Sequence, residues 1–292
     1  MVLTAFDHAT IVVHDVGHAV RRYERLLGRA PSWRGWHVGL GTEGALFGLS
    51  NAMIELVGPR VGANEGADDE AEGLRAHLRE RGEGLQAMAF LAAEAMAVRE
   101  ALRARGVRAT EPQPGEARSD DGSVRHYQTV DLSPRATRGL SVLVVERQVG
   151  KDLRSPDADS AGAVDALDHV VVRSADPSAA EALYGAALGI RLALDRRIGD
   201  RRMLFYRIGG VTIEVVEDPT RGPSDGFGGL AYRVADIDSA NARLRGGGFD
   251  VSDVRDGAKP GTRVFTVRDG TCSVPTLVVR DPSRDASAPR GA

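Results

Sequence analysis

Two histidine–glutamate pairs are the residues of this chain whose types and spacing could do chemistry. Asp7-His8 opens the apolar run Ala9-Thr10-Ile11-Val12-Val13, and Glu55 follows His8 by 47 residues inside Met53-Ile54-Glu55-Leu56-Val57. The arrangement returns as Asp168-His169 before Val170-Val171-Val172, with Glu214 standing 45 residues on in Thr212-Ile213-Glu214-Val215-Val216. A lone His at a strand start is ordinarily structural. A mid-strand carboxylate between apolar neighbours is different, because burying it unpaired is costly. Strand alternation puts Met53, Glu55 and Val57 on one face and Ile54 and Leu56 on the other. The Glu face must line a cleft or meet a cation. Two imidazoles and two carboxylates, His8, Glu55, His169 and Glu214, suit a divalent transition metal: Fe(II), Mn, Zn, Ni or Co. Such a metal binds vicinal oxygens or polarises a carbonyl and stabilises an enolate.

The elements that must position these groups also repeat. Tyr23 and Tyr184 each lie 15 residues after their His, in amphipathic stretches that end at Gly28 and Gly189. Glycine just past the last helical residue is the expected stop. Short strands follow, the last carrying the Glu. Self-similarity at a fixed spacing marks a repeat architecture. Four strand–helix–strand–strand–strand units are expected, at 5–58, 84–147, 165–218 and 226–280. Segments 59–73 and 110–123 read as loops, with a helix from Leu74 to Arg81. Unit two has strands expected near 107–111, 124–132 and 139–147. The aperiodic Gln148–Val164 stretch reads as a linker. This gives an α+β chain with one domain over 1–150, a second over 163–280 and a disordered tail over 281–292. In units two and four, Ala87, Leu143, Gly229 and the Thr276–Leu277 region stand where His or Glu would be.

Composition excludes several classes. The chain has 292 residues, 42% hydrophobic and 27% charged, with a net charge of −3. That gives no electrostatic footprint for nucleic acid. No apolar run approaches the roughly 20 residues that span a bilayer, and the start does not have the form of a signal peptide. Cys272 is the single cysteine, so no intrachain disulfide can form. A soluble cytoplasmic protein is expected, monomeric or homodimeric, with a small-molecule substrate and neither nucleic acid nor membrane as partner.

With the Asp-His strand, the Tyr…Leu-Gly helix end and the Ile-Glu strand recurring in order over about residues 5–280, the chain resembles the vicinal oxygen chelate superfamily. That group includes glyoxalase I, methylmalonyl-CoA epimerase, extradiol dioxygenases and bleomycin-resistance proteins. The resemblance implies four βαβββ units forming two glyoxalase-like domains, with curved, partly closed mixed sheets around a divalent metal. His8, Glu55, His169 and Glu214 match its ligand positions, and a ligand Glu released from the metal, Glu55 or Glu214, would act as base. Extradiol dioxygenases draw two His and one carboxylate mainly from their C-terminal units, and unit four supplies neither member here.

Three functions follow as expectations. The first is a metal-dependent lyase or isomerase acting on a small oxygenated substrate, and the second an Fe(II)-dependent dioxygenase. The third is a metal-free protein that binds a small molecule or confers resistance. Trp36 and His37, in Trp33-Arg34-Gly35-Trp36-His37, are candidate substrate contacts, and His126, in Val124-Arg125-His126-Tyr127, a candidate acid/base. If neighbouring units pair, each cleft holds one His and one Glu and needs another donor, such as His37 or His126. If units one and three pair, all four ligands surround one metal.

Overall fold

The computed structural model describes residues 3–60, 62, 69–149, 153–154 and 160–285. Its first half contains β1 (Leu3–Val12), α1 (Val16–Leu27), β2 (Trp33–His37), β3 (Thr42–Gly48) and β4 (Met53–Pro59). It continues with α2 (Asp69–Arg81), β5 (Gly84–Ala92), α3 (Ala95–Ala104), β6 (Gln113–Ser119), β7 (Val124–Asp131) and β8 (Ser141–Val149). The second half contains β9 (Val164–Ser174), α4 (Pro177–Glu181), which runs on as a π-helical turn over Ala182–Ala187, then β10 (Arg191–Ile198), β11 (Arg201–Ile208) and β12 (Val211–Glu217). After these come β13 (Gly226–Val234), α5 (Ile237–Gly246), β14 (Arg255–Asp256), β15 (Arg263–Val267) and β16 (Thr276–Arg280). The fold is α+β, built as two glyoxalase-like domains.

Strands of units one and two close into a barrel in the order β1-β4-β3-β2-β6-β7-β8-β5. Units three and four form a curled open sheet, β10-β11-β12-β9-β13-β16-β15-β14. Within each unit the first strand runs parallel to the last, pairing Thr10 with Glu55 and Val171 with Glu214. The units join antiparallel, β1 on β5 and β9 on β13. Pairing of neighbours therefore replaces the alternative in which units one and three share a cleft. His8 and Glu55 belong to the barrel and His169 and Glu214 to the other sheet.

The second Asp of each repeat has a purely local task. Asp15 caps α1, its carboxylate accepting from the His18 amide, and Asp176 caps α4 by accepting from Ser178 and Ala179. Each cap satisfies helix-end N–H groups that have no intrahelical partner. Gly28 and Gly189 sit at φ +70° and +69°, where a Cβ is strained. The apolar face of α1 (Val16, Ala19, Val20, Tyr23, Leu26, Leu27) is buried against the outer side of the barrel. One continuous core runs from there into the second half. Polar links cross the same boundary. Tyr23 donates to the Thr271 carbonyl at 3.0 Å, and Asn51 holds both the Leu167 carbonyl (2.8 Å) and its amide (3.0 Å).

Three local expectations are corrected. The strand placed at 107–111 reduces to a single bridge at Ala109, while Gln113–Ser119, read as loop, is β6. That segment carries Pro and Gly and no β-branched residue, and its strand form comes from pairing with β7 along most of its length and with β2 at its C-terminal end, which closes the barrel. The helix expected from Leu74 begins at Asp69. The tail is folded at least to Asp285: Asp281 is buried and paired with Lys259 Nζ at 2.5 Å, and Pro282–Asp285 is helical. The remainder of that tail lies outside the described residues.

Candidate metal centre in the N-terminal barrel

Period-two alternation decides which side chains enter the barrel. His8 and Thr10 point inward from β1, Met53 and Glu55 from β4, Leu46 from β3, and Trp33 and His37 from β2. Trp33, Leu46, Met53 and Ala117 form a small apolar cluster of their own, with Tyr127 and Leu153 packed on it. Against this lining Glu55 sits among polar partners. His8 Nε2 is 3.3 Å from Glu55 Oε2, and His37 Nε2 is 3.8 Å from Glu55 Oε1. Thr10 donates to Oε2 at 2.9 Å. All three titratable side chains are largely buried, 11% (His8), 10% (His37) and 14% (Glu55) exposed.

The outer nitrogens of both imidazoles are held in turn. His8 Nδ1 is 2.7 Å from Asp7 Oδ2, and Arg147 donates to the other Asp7 oxygen at 2.5 Å. His37 Nδ1 is 2.9 Å from Thr42 Oγ1. Groups that hold a ligand's far nitrogen fix ring orientation and leave the near nitrogen free for a cation.

The electrostatics follow from burial and charge. Burial works against charge on His8, but Glu55, together with the Asp7 and Glu55 hydrogen bonds, outweighs it and raises the imidazole to about 9. Burial would lift Glu55, yet the His8 charge and hydrogen bond, with His37 and Thr10, bring it down to about 2. His37 goes the other way. Burial lowers it, Glu55 opposes that in part, and Arg125 and His8 add to the lowering.

The donor set fits a divalent transition metal. Two donors each roughly 2.0–2.2 Å from one cation stand about 3–4 Å apart at angles from square to trigonal, and the His8–Glu55 and His37–Glu55 separations fall in that span. As they stand, no three or more His, Cys, Asp or Glu side chains among the described residues are placed to hold a metal ion together, and His8 and Glu55 face each other as an ion pair. The adjoining first and last strands of unit two add no ligand. Ala87 and Ala89 on β5 and Leu143 on β8 occupy the lumen side there.

The second sheet repeats only part of this. His169 Nε2 lies 3.5 Å from Glu214 Oε2 and Nδ1 lies 2.9 Å from Asp168 Oδ2. Val171 replaces Thr10 beside the Glu. Counting across the paired strands from Glu214 through Phe205 to Leu194, the position matching His37 is Ile198, an exposed apolar residue. Two donors therefore face this concavity from unit three, and Ala231 and Leu277 line the unit-four side.

The other sequence candidates lie elsewhere. His126 points to the outer face of β7, 47% exposed and 3.9 Å from Glu116. Trp36 is also on the outside, under the Arg60 guanidinium at 4.4 Å. Cys272 is buried at a left-handed backbone position, its thiol pushed up to about 12 by burial. Sequence reasoning passed over Arg125 and Tyr127, which enter the lumen on either side of His126. Alternation alone could have flagged them, since an outward His on β7 requires an inward Arg and Tyr.

Paired βαβββ units, with a His on the first strand and a Glu on the last facing into a curved sheet, define the vicinal oxygen chelate class. The chain belongs to the glyoxalase-like domain family, whose model matches residues 6–158, more than half of its length. A model described as the Glyoxalase/Bleomycin resistance protein/Dioxygenase superfamily matches residues 168–266. No curated protein matches significantly. Solved structures share the fold over nearly the whole chain. A mutant 4-hydroxymandelate synthase from Streptomyces coelicolor has a TM-score of 0.71 at 15% identity, covering 96% of this chain and 93% of its own. A hypothetical protein from Staphylococcus aureus has 0.62 at 11%, covering 95% and 98%. A halotolerant catechol dioxygenase has 0.59 at 13%, covering 96% and 87%. Among the described residues, no helix is long and apolar enough to cross a membrane.

Proposed function

We propose that the chain is a metal-dependent enzyme acting on a small oxygenated substrate inside the N-terminal barrel, with His8, His37 and Glu55 holding the metal. The supporting observation is the approach of two imidazole Nε2 atoms to the two oxygens of one carboxylate. When bound there, a divalent cation supplies Lewis acidity toward vicinal oxygens of the substrate. The residues around it do the positioning. Asp7 and Thr42 orient the rings, Thr10 holds one Glu55 oxygen, and the apolar cluster around Trp33 limits water.

Two His and one carboxylate with open positions is the donor set of non-haem Fe(II) oxygenases, so dioxygenation is the reaction this set favours. A lyase or isomerase is the second reading, and the observation behind it is His37. In that reading His37 stands off the metal, which His8 and Glu55 hold, and burial, by lowering its affinity for protons, leaves a neutral imidazole able to take one. Glu55, at about 2, is the weaker base. The test is oxygen uptake by protein prepared without a metal-binding tag, with Fe(II) or with Zn(II), across candidate diols and oxo acids. Fe(II)-dependent oxygen consumption is expected. Turnover that proceeds equally with Zn(II) and without oxygen would reassign the chain to proton transfer.

A further inference from the structure

Arg125 and Tyr127 are left unused by the metal reading, and they face it. Both enter the lumen from β7, which pairs with β6 and β8 across the barrel from β4. Arg125 Cζ lies over the Trp33 ring at 5.0 Å from its centroid. Among the described residues no carboxylate is within ion-pair reach of its guanidinium, and no acceptor holds its N–H groups. The neighbouring cation differs, because Arg147 is committed to Asp7. Among the described residues, Asp7 and Glu55 are matched at contact distance by Arg147 and His8, and Arg125, drawn to Glu55 only from further off, is left over. Replacing the His8 proton by a divalent cation makes the excess larger.

Two further features sit on the same side. Trp33 Nε1 is buried with no hydrogen-bond partner. Tyr127 lies flat across Gly115, where a Cβ would stand 2.2 Å from the ring, so the glycine fixes its pose. Burial, with Glu55 nearby, pushes the phenol up to about 12 and keeps it a donor. Partly buried guanidinium without a counter-charge is costly, and a planar fork of N–H groups matches a carboxylate.

We propose that this wall receives the carboxylate of the substrate, Arg125 forking onto its oxygens and the Tyr127 hydroxyl donating a further bond, while an apolar body packs against Trp33, Leu46 and Met53. The substrate class is then a small apolar organic acid. The location of the chemistry rests on the proposed metal site; the carboxylate contact does not need the metal.

Calorimetric titration of phenylacetate and of neutral phenylacetamide tests it, in cation-free and metal-loaded protein. Wild type is expected to prefer the acid by about tenfold or more, the scale of a hydrogen-bonded charge contact. Arg125→Gln should erase that preference while metal content, measured separately, stays at the wild-type level. Equal binding of the two probes, binding of neither, or a preference that survives Arg125→Gln overturns the proposal. If that variant does not fold, Tyr127→Phe decides: a reduced preference supports the contact and an unchanged one overturns it. A failed metal site would appear as lost metal with the acid preference intact in cation-free protein.

Discussion

His8 and Glu55 hold each other in opposite charge states, and this has a consequence for pH. In cation-free protein His8 is raised from 6.5 to about 9, so its share of stability is complete below 6.5 and fades as pH rises through 9. Glu55 is lowered from 4.5 to about 2, so its share is complete above 4.5 and lost as pH falls through 2. Thermal midpoints of cation-free protein should be highest near pH 4.5–6.5 and decline toward 9. A metal displaces the His8 proton, so loading should release protons and tighten over the same rise. A flat cation-free profile between 6.5 and 9 would contradict this pairing. Much of the residue-scale picture could be read from sequence. The Asp-His openings and the Ile-Glu strands stood out because a mid-strand carboxylate needs a reason. Arg125 and Tyr127 did not stand out, because an Arg or Tyr on a strand is ordinary until the barrel closes around it.

At the scale of elements, closure is the step that the sequence did not disclose. The repeat unit was legible from period-two strands, an amphipathic helix and glycine stops, each a local signal. β6 has no such signal; its strand is held by β7 along most of its length and by β2 at its C-terminal end. Gly35 makes the approach possible, since a Cβ there would fall 2.0 Å from the Arg118 carbonyl oxygen. Gly35→Val should open the β2–β6 seam, expose Trp33 and His37, and lower metal affinity. Hydrogen exchange should then rise in β6 with little change in β9–β16. Unchanged protection of the Gln113–Ser119 amides would count against this account of the seam. The open second sheet has no equivalent closure, as β10 ends one edge and the two-residue β14 the other.

Across the whole molecule, the two halves are joined more tightly than a linker requires. Tyr23, buried on α1, donates to Thr271, Arg243 reaches the Leu26 carbonyl at 3.1 Å, and the core is continuous. Tyr23→Phe leaves the Thr271 carbonyl without this donor and should cost about 1–2 kcal/mol, read as a lower midpoint of a single cooperative transition. Two separate transitions in the wild type would mean that the halves fold independently. Which units pair was open in the sequence because both halves carry the same pattern, and only the strand ladders distinguish the arrangements. Neighbour pairing separates the two His/Glu pairs, and His37 then distinguishes the first concavity from the second. The most direct measurement is metal per chain after equilibrium dialysis with Zn(II) or Fe(II), for wild type and two sets of variants. The account predicts one tightly held metal, lost in His8→Ala, His37→Ala and Glu55→Gln and kept in His169→Ala and Glu214→Gln. Metal that survives the first set, or disappears with the second, would contradict a centre built on His8, His37 and Glu55.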